Sequence, residues 1–426
     1  MKLILDVENT VTKKNGKMHL DPFEPTNKLV MVGIRDDHAN TYIYDMAESS
    51  SNIQEMLDKA TVLIGHNIAY DLMWLWECGF KYDGVVFDTM LAEYIMQRGV
   101  KEPLSLEACA ERYKLETQKQ DTLKKYFAEG KGVDEIPKDE LAEYLTADLK
   151  ATQELCNVQY KKLNTQEYAG LMESVILTNK VAVTLAKIYR NGFKVDQDKL
   201  REVKEEFEQE KLEIEERLTK QVKELMGDTP INLNSPEQMS WVIYSRKPKD
   251  KALWGNSFHP NMLPKHFKNA IAYNSTVLYK TEAMQCLNCR GTGQVRKIKK
   301  NGQPFAKPST CSHCGGQGYK FIPTKHIAGL KFSAPNSKWV SAHGFTVSKT
   351  NLDTLYNVAK DRHMTQAMSF LKDIQRLSAL DTYLSSFVEG IEGYVKPDGL
   401  LHVRLLQHRT ATGRFSGADP NMQNMP

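Results

Sequence analysis

The first 160 residues alternate between two hydrophobic rhythms. Residues 2–7 and 61–65 are short apolar runs of strand length, and residues 29–34 and 41–44 read as a pair of hairpin strands. Helical spacing of apolar positions runs through residues 52–60, 70–78, 87–96, 104–113 and 141–163. Strands alternating with helices predict a three-layer α/β domain. From about residue 171 only the helical rhythm persists. Residues 175–190 form an apolar-faced helix that stops at Asn191-Gly192. Residues 200–226 are long and highly charged, with apolar positions at wide helical spacing, as expected of a solvated helix in a bundle. Another helix is predicted after Asn234, with Ser235 as N-cap and Pro236 at the first helical position. Residues 246–340 are rich in Gly, Pro, Lys and Asn, and helix returns at 351–359 and 367–390.

A chain of 426 residues exceeds one ordinary core, so two or three domains are expected. Hydrophobic content of 41% with 26% charged residues excludes a disordered polypeptide. No apolar run approaches the roughly 18 residues that span a bilayer, and the apolar start is cut short by Asp6, which excludes a secretory signal there. The scattered Cys78, Cys109 and Cys156 suit a reducing compartment, so a cytoplasmic location is expected. The net charge of +4 conceals an asymmetry: residues 1–160 hold 18 Lys and Arg against 28 Asp and Glu, and the remainder holds 39 against 25. An acidic half with clustered carboxylates suits divalent cations. A basic half suits a polyanion, because Lys and Arg replace the counter-ions around phosphates.

Three segments carry the acids that matter. Asp6 and Glu8 lie two apart on the first strand and point to one face. Charges inside an apolar strand are costly unless paired or bound to metal. Asn67 and Asp71 follow the second apolar strand where a helix begins, and Tyr144 and Asp148 lie four apart on one face of the long helix. Four carboxylates and a phenol gathered in this way suit two Mg²⁺ or Mn²⁺ ions about 4 Å apart, with Tyr144 positioning the attacking water. Asp88 reads either as a supporting group behind the site or as a helix cap, and His66 reads as a satisfied core histidine. The order Asp6-Val7-Glu8, then Gly65 through Asp71, then Tyr144-Leu145-Thr146-Ala147-Asp148 resembles the three-motif signature of the DEDD exonucleases, in the subtype with tyrosine. Phe87 through Tyr94 is similar to the family between its second and third motifs. The resemblance implies a ribonuclease-H-like fold, an active 3′→5′ exonuclease and release of nucleoside monophosphates, with Asn67 hydrogen-bonding the terminal nucleotide.

Later segments resemble family A DNA polymerases, the bacterial polymerase I and phage replicative type. Ile188 through Asp196 is similar to the entry into the thumb, and Ile231 through Gln238, with Asn234 and Ser235, resembles the thumb segment beside the duplex backbone. Thr410-Ala411-Thr412-Gly413-Arg414-Phe415-Ser416, followed by Asp419 through Pro426, is the most specific match. Arg414 after a flexible Gly suits the minor groove, where purine N3 and pyrimidine O2 accept hydrogen bonds at every base pair. Gln423 and Asn424 suit the same task near a primer terminus, beside Thr412. The family's lysines on the helix matching residues 377–382 are missing here, which leaves Arg376 as the backbone contact on that helix. The palm acids of the family would follow this last motif and have no counterpart in the sequence. Alone, the chain is therefore expected to degrade but not extend a primer, being either a fragment or one half of a split polymerase whose second chain carries palm and fingers. For a phage-encoded protein the compartment is the host cytoplasm.

Cys286-Leu287-Asn288-Cys289 and Cys311-Ser312-His313-Cys314, each followed by a Gly-rich turn, form two Cys-x-x-Cys knuckles. Their spacing matches a Cys₄ ribbon around one structural Zn²⁺. A disulfide pair, idle thiols, or His313 replacing one ligand are the alternatives. The unit resembles the cysteine-rich repeats of DnaJ chaperones at a different separation. Between the knuckles, Arg296-Lys297-Ile298-Lys299-Lys300 reads either as a tip for phosphate contact or as a solvated loop. The expected layout is an α/β ribonuclease-H-like exonuclease over 1–165, a mainly helical thumb with the start of an insert over 166–285, a zinc ribbon over 286–318, and the thumb base with the beginning of the palm over 319–426. The expected partner is DNA, as primer-template and as single-stranded 3′ ends, with no membrane. Two other readings are a free-standing 3′→5′ exonuclease of DNA or RNA, which would have no use for the primer-terminus motif, and a silenced assembly subunit, against which the four intact acids argue.

Overall fold

In the computed structural model, the structure describes residues 1–14, 16–48, 50–117, 123–246, 277–299, 302–333, 339–341 and 344–425. They form two compact units. One joins Met1–Arg201 to Ser385–Pro426, and the other is Glu202–Leu384.

The first unit is built on a five-stranded sheet. Its strands are β1 (Lys2–Asn9), β4 (Leu29–Asp36), β5 (Thr41–Asp45), β6 (Val62–Gly65) and β7 (Val85–Asp88), in the order β5-β4-β1-β6-β7. β1 runs antiparallel to β4 and parallel to β6, so the first hairpin partner and the first crossover flank the same central strand. A small ribbon, β2 (Thr12–Lys14) with β3 (Lys17–His19), fills the connection before β4. The helices are α1 (Ile53–Lys59), α2 (Ile68–Glu77), α3 (Thr89–Met96), α4 (Leu106–Tyr113), α5 (Lys124–Ala128), α6 (Lys138–Leu163) and α7 (Leu171–Asn191).

Strand periodicity fixes the layers. Leu3, Leu5 and Val7 share a cluster with Ile53 and Leu57 of α1, Ile68 and Leu72 of α2, and Ala186 and Tyr189 of α7. Ile4 packs the other way, with Ile64 and with Leu149 of α6. The predicted three layers are therefore present, and Asp6 and Glu8 share the Ile4 face with α6. Residues 87–96, read as one helix from the sequence, are instead the end of β7 followed by α3. Four residues of strand give too few positions for a period, and Asp88 both ends the strand and caps the helix.

The last segment returns to this unit. Leu400–Leu401 pairs with β8 (Phe193–Lys194), and Arg404–Leu406 pairs with Ser416–Ala418. Lys396, almost fully buried, lies 3.0 Å from Asp21 and 3.7 Å from Glu24, and Phe23 stacks on His402 at 3.9 Å.

The second unit is mainly helical. α8 (Gln197–Met226) passes through the division at Arg201 and buries Ile214, Leu218, Val222 and Leu225, a stripe at helical spacing. These pack with Trp241 and Tyr244 of α9 (Pro236–Tyr244), Leu352 and Leu355 of α10 (Lys349–Asp361), and Phe370, Ile374 and Leu377 of α11 (Thr365–Thr382). Ser235 and Pro236 start α9 as predicted, the Ser235 hydroxyl accepting from the Gln238 amide. The helix expected over 367–390 is present and changes type along its length: α11 gives way to a π-helical turn, Tyr383–Val388, and then to a short helix, Glu389–Glu392, passing into the first unit at Ser385. Two strands, β9 (Tyr279–Gln285) and β12 (Tyr319–Ile327), form an antiparallel hairpin that carries the cysteine knuckles. Between the knuckles, β10 (Gln294–Val295) pairs with β11 (Ser309–Thr310). No helix among the described residues is long and apolar enough to cross a membrane.

One glycine sets how α6 meets the sheet. Gly33 of β4 lies directly across from Asp6 of β1. A Cβ there would sit 2.7 Å from Leu149 Cδ1 and 2.8 Å from Leu145 Cγ. The missing side chain lets these two leucines lie down on the strand. Gly33→Val should therefore push α6 outward at a cost of about 1–3 kcal/mol, seen as a lower melting temperature. A variant that melts with the parent would show that this packing does not hold the helix.

Candidate active site and cysteine centre

Asp6 and Glu8 are half-buried on the α6 face of β1. Across the sheet, Asp6 is opposite Gly33 and Glu8 is opposite Met31. The α6 side chains over those two β4 positions are Leu145 and Leu149 on Gly33, and Leu141, Tyr144 and Leu145 in the cluster around Met31. Tyr144 and Asp148 are thus carried to the part of the sheet that holds Asp6 and Glu8. Asp148 is buried and Tyr144 half-buried.

Asp71 arrives from α2, in its first turn, and is buried. Its carboxyl is held well above the ordinary range, first by burial and then by the nearby charges of Asp6 and Asp88. The Val7 backbone N–H donates to Asp6 Oδ1 at 3.1 Å. A carboxyl that feels the charge of Asp6 lies near the β1 acids. The three segments predicted to supply these residues lie on elements that meet at β1.

Asp88 has a clear structural role. It is fully buried, and its carboxylate accepts from the amides of Met90 and Leu91 at the start of α3 and of Asn67 and Ile68 at the start of α2, all within 3.1 Å. One carboxylate thereby ties two helix starts together, and burial lifts its pKa to about 6. Asn67 sits at positive φ (71°) at the N-cap of α2. His66 is satisfied as expected, with Nδ1 2.9 Å from the Thr89 hydroxyl and Nε2 2.9 Å from the Leu104 carbonyl.

A cleft of about 560 Å³ opens beside Asn67 and Asp88, bordered by Tyr70, Met90, Arg404 and His408. Tyr70, Met73, Tyr189 and Arg404 also line an adjoining cleft that reaches Tyr394 and Asp419. Arg404 is 27% exposed and pairs with Asp419 at 3.4 Å. Sequence reasoning missed Tyr70, Arg404 and His408 as lining residues. Tyr70 was visible one position before Asp71. Nothing in the linear pattern placed residues 404–408 next to Asn67.

The other predicted DNA contacts are placed as follows. Thr412 and Arg414 are exposed on a turn closed by the Thr410 hydroxyl donating to the Arg414 carbonyl. Gln423 accepts from the Gly417 amide at 2.6 Å through its side-chain oxygen, and the side chain of Asn424 lies outside the described residues. Asn234 donates its amide to the Asn232 side chain, and Ser235 caps α9. Arg376 makes two hydrogen bonds to Glu210 of α8, at 2.7 and 2.6 Å, so any backbone contact would draw on an arginine already engaged inside the bundle.

The four knuckle cysteines converge. Their sulfurs all lie within 4.8 Å of one another and are buried. Cys286 and Cys311 are 4.0 Å apart and Cys289 and Cys314 3.6 Å, far beyond a disulfide bond. Four thiolates about 2.3 Å from one Zn²⁺ in a tetrahedron lie about 3.8 Å apart, so the set fits zinc. The Asn288 amide, 3.2 Å from Cys311, pulls that thiol down to about 6, and burial holds Cys314 at about 11. The two knuckles approach so closely that a Cβ on Gly293 would strike the Gly316 carbonyl and one on Gly318 the Gly291 carbonyl. Lys300 of the predicted basic tip lies outside the described residues. Among the described residues no three carboxylates are as tightly grouped as the cysteines. Oxygen donors around a buried, charge-repelled Asp71 nonetheless suit hard divalent cations.

The sheet and its helices form a ribonuclease-H-like α/β domain, and the second unit is largely helical. Residues 17–164 match the family model described as 3′-5′ exonuclease. The chain is 23% identical over 351 residues to DNA polymerase I of Bacillus subtilis (strain 168), covering 82% of this chain and 28% of that protein. It is 24% identical over 384 residues to the DNA polymerase of Bacillus phage SP01, covering 88% and 35%. In fold it is similar to the POL domain of Pol1 from M. smegmatis, solved with DNA primer-template and dNTP, at a TM-score of 0.59 and 16% identity over all of this chain and 52% of that one. The chain therefore carries a 3′-5′ exonuclease domain of the kind found in DNA polymerase I-like proteins of family A. It spans 28–35% of the length of these two curated relatives. The family match begins after β1, so the assignment of Asp6 and Glu8 rests on their geometry.

The raised carboxyl of Asp71 has a signed consequence. A carboxyl whose folded pKa is raised favours the fold below its unfolded value, near 4, and loses that contribution as pH rises through the folded value. Asp71→Asn should therefore raise the melting temperature of the metal-free protein, and by more at pH 7.5 than at pH 5. It should also lower nuclease activity more than about 100-fold, since losing even an outer supporter of a metal ligand costs about 10–100-fold. Equal melting gains at the two pH values would show that Asp71 is not strained by its neighbours.

Proposed function

We propose that this chain is the 3′→5′ proofreading and primer-template-binding part of a family A DNA polymerase acting in DNA replication. The observation that carries this reading is the docking of α6 on Gly33, which brings Tyr144 and Asp148 over the strand holding Asp6 and Glu8, beside Asp71. The residues proposed to hold two Mg²⁺ or Mn²⁺ ions are Asp6, Glu8, Asp71 and Asp148. When bound, such ions supply an activated water and neutralise charge on the leaving oxygen. The protein's own groups position the rest. Tyr144 orients the water, Asn67 hydrogen-bonds the terminal nucleotide, and the cleft bordered by Tyr70 and Arg404 receives the strand behind it. Arg414, Thr412, Gln423, Asn424, Asn234, Ser235 and Arg376 are the proposed contacts to duplex DNA.

In this reading residues 1–165 are the exonuclease domain, 166–285 the thumb with the start of its insert, 286–318 a ribbon closed by one structural Zn²⁺, and 319–426 the thumb base and the beginning of the palm. Polymerisation belongs to palm and fingers motifs that this sequence does not contain, on the same polypeptide or on a second chain. Support comes from the relatives, which are DNA polymerases, and from a fold neighbour solved with primer-template. Four thiolates leave no open position on zinc, so its role is structural.

On a 5′-labelled primer-template with a mismatched 3′ end and Mg²⁺, the chain should shorten the primer to a ladder. Asp6→Ala and Asp148→Ala should each slow this by more than about 100-fold. Unchanged rates in both variants would remove the site assignment, and preference for structured RNA over the frayed DNA end would favour a free-standing exonuclease. Metal analysis should find one zinc per chain, lost in Cys311→Ser with nuclease activity retained. A chain without zinc, or one with a disulfide among these cysteines, would remove the ribbon assignment.

A further inference from the structure

The positive charge of the second half is not spread evenly. Residues 283–352 contain eleven Lys and Arg and not one Asp or Glu. Residues 251–352 hold fifteen cations against the single acid Glu282, a surplus equal to the whole excess of cations over acids beyond residue 160. The long helices on either side are mixed in sign and pair with one another, Arg217 with Asp373, Arg376 with Glu210, and Lys211 with Asp381. None of the ion pairs among the described residues involves Arg290, Arg296, Lys297, Lys299 or Lys307. All five are exposed.

The placement of these cations is as informative as their number. β9 is buried at Thr281 and exposed from Glu282 to its end, so the hairpin leaves the packed body of its unit at that point. Beyond it the ribbon has its own small core, the four cysteines with Val295 against them. The four strand residues beyond Thr281 reach about 13 Å. The cations sit on the knuckles and on the turn between β10 and β11, accompanied by exposed Leu287, Ile298 and Phe305, with Lys299 over the Phe305 ring at 5.6 Å. Interfaces between proteins are depleted in lysine, whereas backbone contacts to nucleic acid are made by Lys and Arg with few acids nearby. An aromatic ring among cations adds a surface on which an unpaired base can stack.

We propose that the cysteine ribbon is a nucleic-acid-binding arm whose cations, Arg290, Arg296, Lys297, Lys299 and Lys307, bind the sugar–phosphate backbone without reading sequence. The arm belongs to the second unit, whereas the exonuclease acids and the primer-terminus motif belong to the first, and it adds its own cations to the grip on DNA. It goes beyond the proofreading reading and does not need it, because digestion of a mismatched 3′ end is scored in a different assay.

The test is the salt dependence of binding by the full chain. Its Kd for a 30-base-pair duplex and for a 30-nucleotide single strand is measured by fluorescence anisotropy from 50 to 200 mM salt, without Mg²⁺, so that nothing is digested. Every phosphate that a side chain neutralises steepens the slope of log K against log salt by about 0.9 for a duplex and about 0.7 for a single strand. A variant combining Arg296→Ala, Lys297→Ala, Lys299→Ala and Lys307→Ala, with its zinc retained, should neutralise at least two phosphates fewer. Its slope should flatten accordingly, and it should bind at least about 10-fold more weakly at 50 mM salt. Should it lose its zinc, Lys297→Ala and Lys299→Ala singly carry the test, each flattening the slope by about one phosphate's worth. A slope and Kd within error of the parent on both DNAs would overturn the proposal. So would unchanged DNA binding together with abolished binding to poly-glutamate, which would assign the surface to an acidic polypeptide.

Discussion

Burying a carboxylate is costly, and setting a second one near it adds to that cost; Asp71 bears both. Two unit charges 4 Å apart at an effective dielectric near 20 interact by about 4 kcal/mol. That is more than the burial of a leucine contributes, about 1.5–3 kcal/mol. Asp71 carries the mark of this conflict, its carboxyl raised by burial and by the charge of Asp6. Such a group stays in place only where the surrounding fold leaves it no alternative. The sheet core supplies that rigidity: Leu3, Leu5 and Val7 are locked on one face while Asp6 and Glu8 are presented on the other. The same strand that anchors the core carries the charges the core would otherwise exclude.

Polar joints finish what the apolar core begins. Asp88 accepts four backbone amides and fixes the start of α2, which carries Asp71, to the start of α3. Glu93, also buried, accepts from Arg112 and Tyr113 of α4 and from Gln159 of α6. The far end of the helix that bears Tyr144 and Asp148 is thereby tied to α3. Asp71 and Asp148 are thus set by helices that a buried carboxylate holds in place. Each such joint stabilises only when complete, because a buried carboxylate stripped of its donors costs far more than the bonds it makes.

Much of this was legible in the sequence, because the information is local. Asp6 and Glu8 two apart on a strand, and Tyr144 and Asp148 four apart on a helix, declare their shared faces by period alone. The Cys-x-x-Cys pairs declare their geometry in the same way, and their sulfurs converge as the spacing predicts. What stayed hidden depends on contacts distant in the chain. Strand β7 is four residues long and merges into α3, so its rhythm reads as helix. Gly33 looks like an ordinary strand glycine until Leu145 and Leu149 are seen lying on it. The Arg404 side of the cleft and the buried Lys396 with Asp21 and Glu24 pair positions more than 300 residues apart, which no periodicity reports.

The two charge regimes of the chain follow from the same electrostatics applied to opposite partners. In the proposed metal site of the first domain, burial and the charge of Asp6 raise the free energy of the empty Asp71 carboxylate, so that a divalent cation would have something to relieve. Phosphate-binding cations work under the reverse conditions, exposed and hydrated, where each one releases a condensed counter-ion from nucleic acid without being buried itself. The insert meets those conditions: Arg290, Arg296, Lys297, Lys299 and Lys307 are exposed, no acid occurs for seventy positions, and the described ribbon is closed by cysteines rather than by an apolar core. A ribbon held by four sulfurs can carry a surface that is almost wholly basic, since no hydrophobic face has to be shared with it. The acids of the long helices could not serve there, because one carboxylate among the lysines would hold the cations that the phosphates are meant to take.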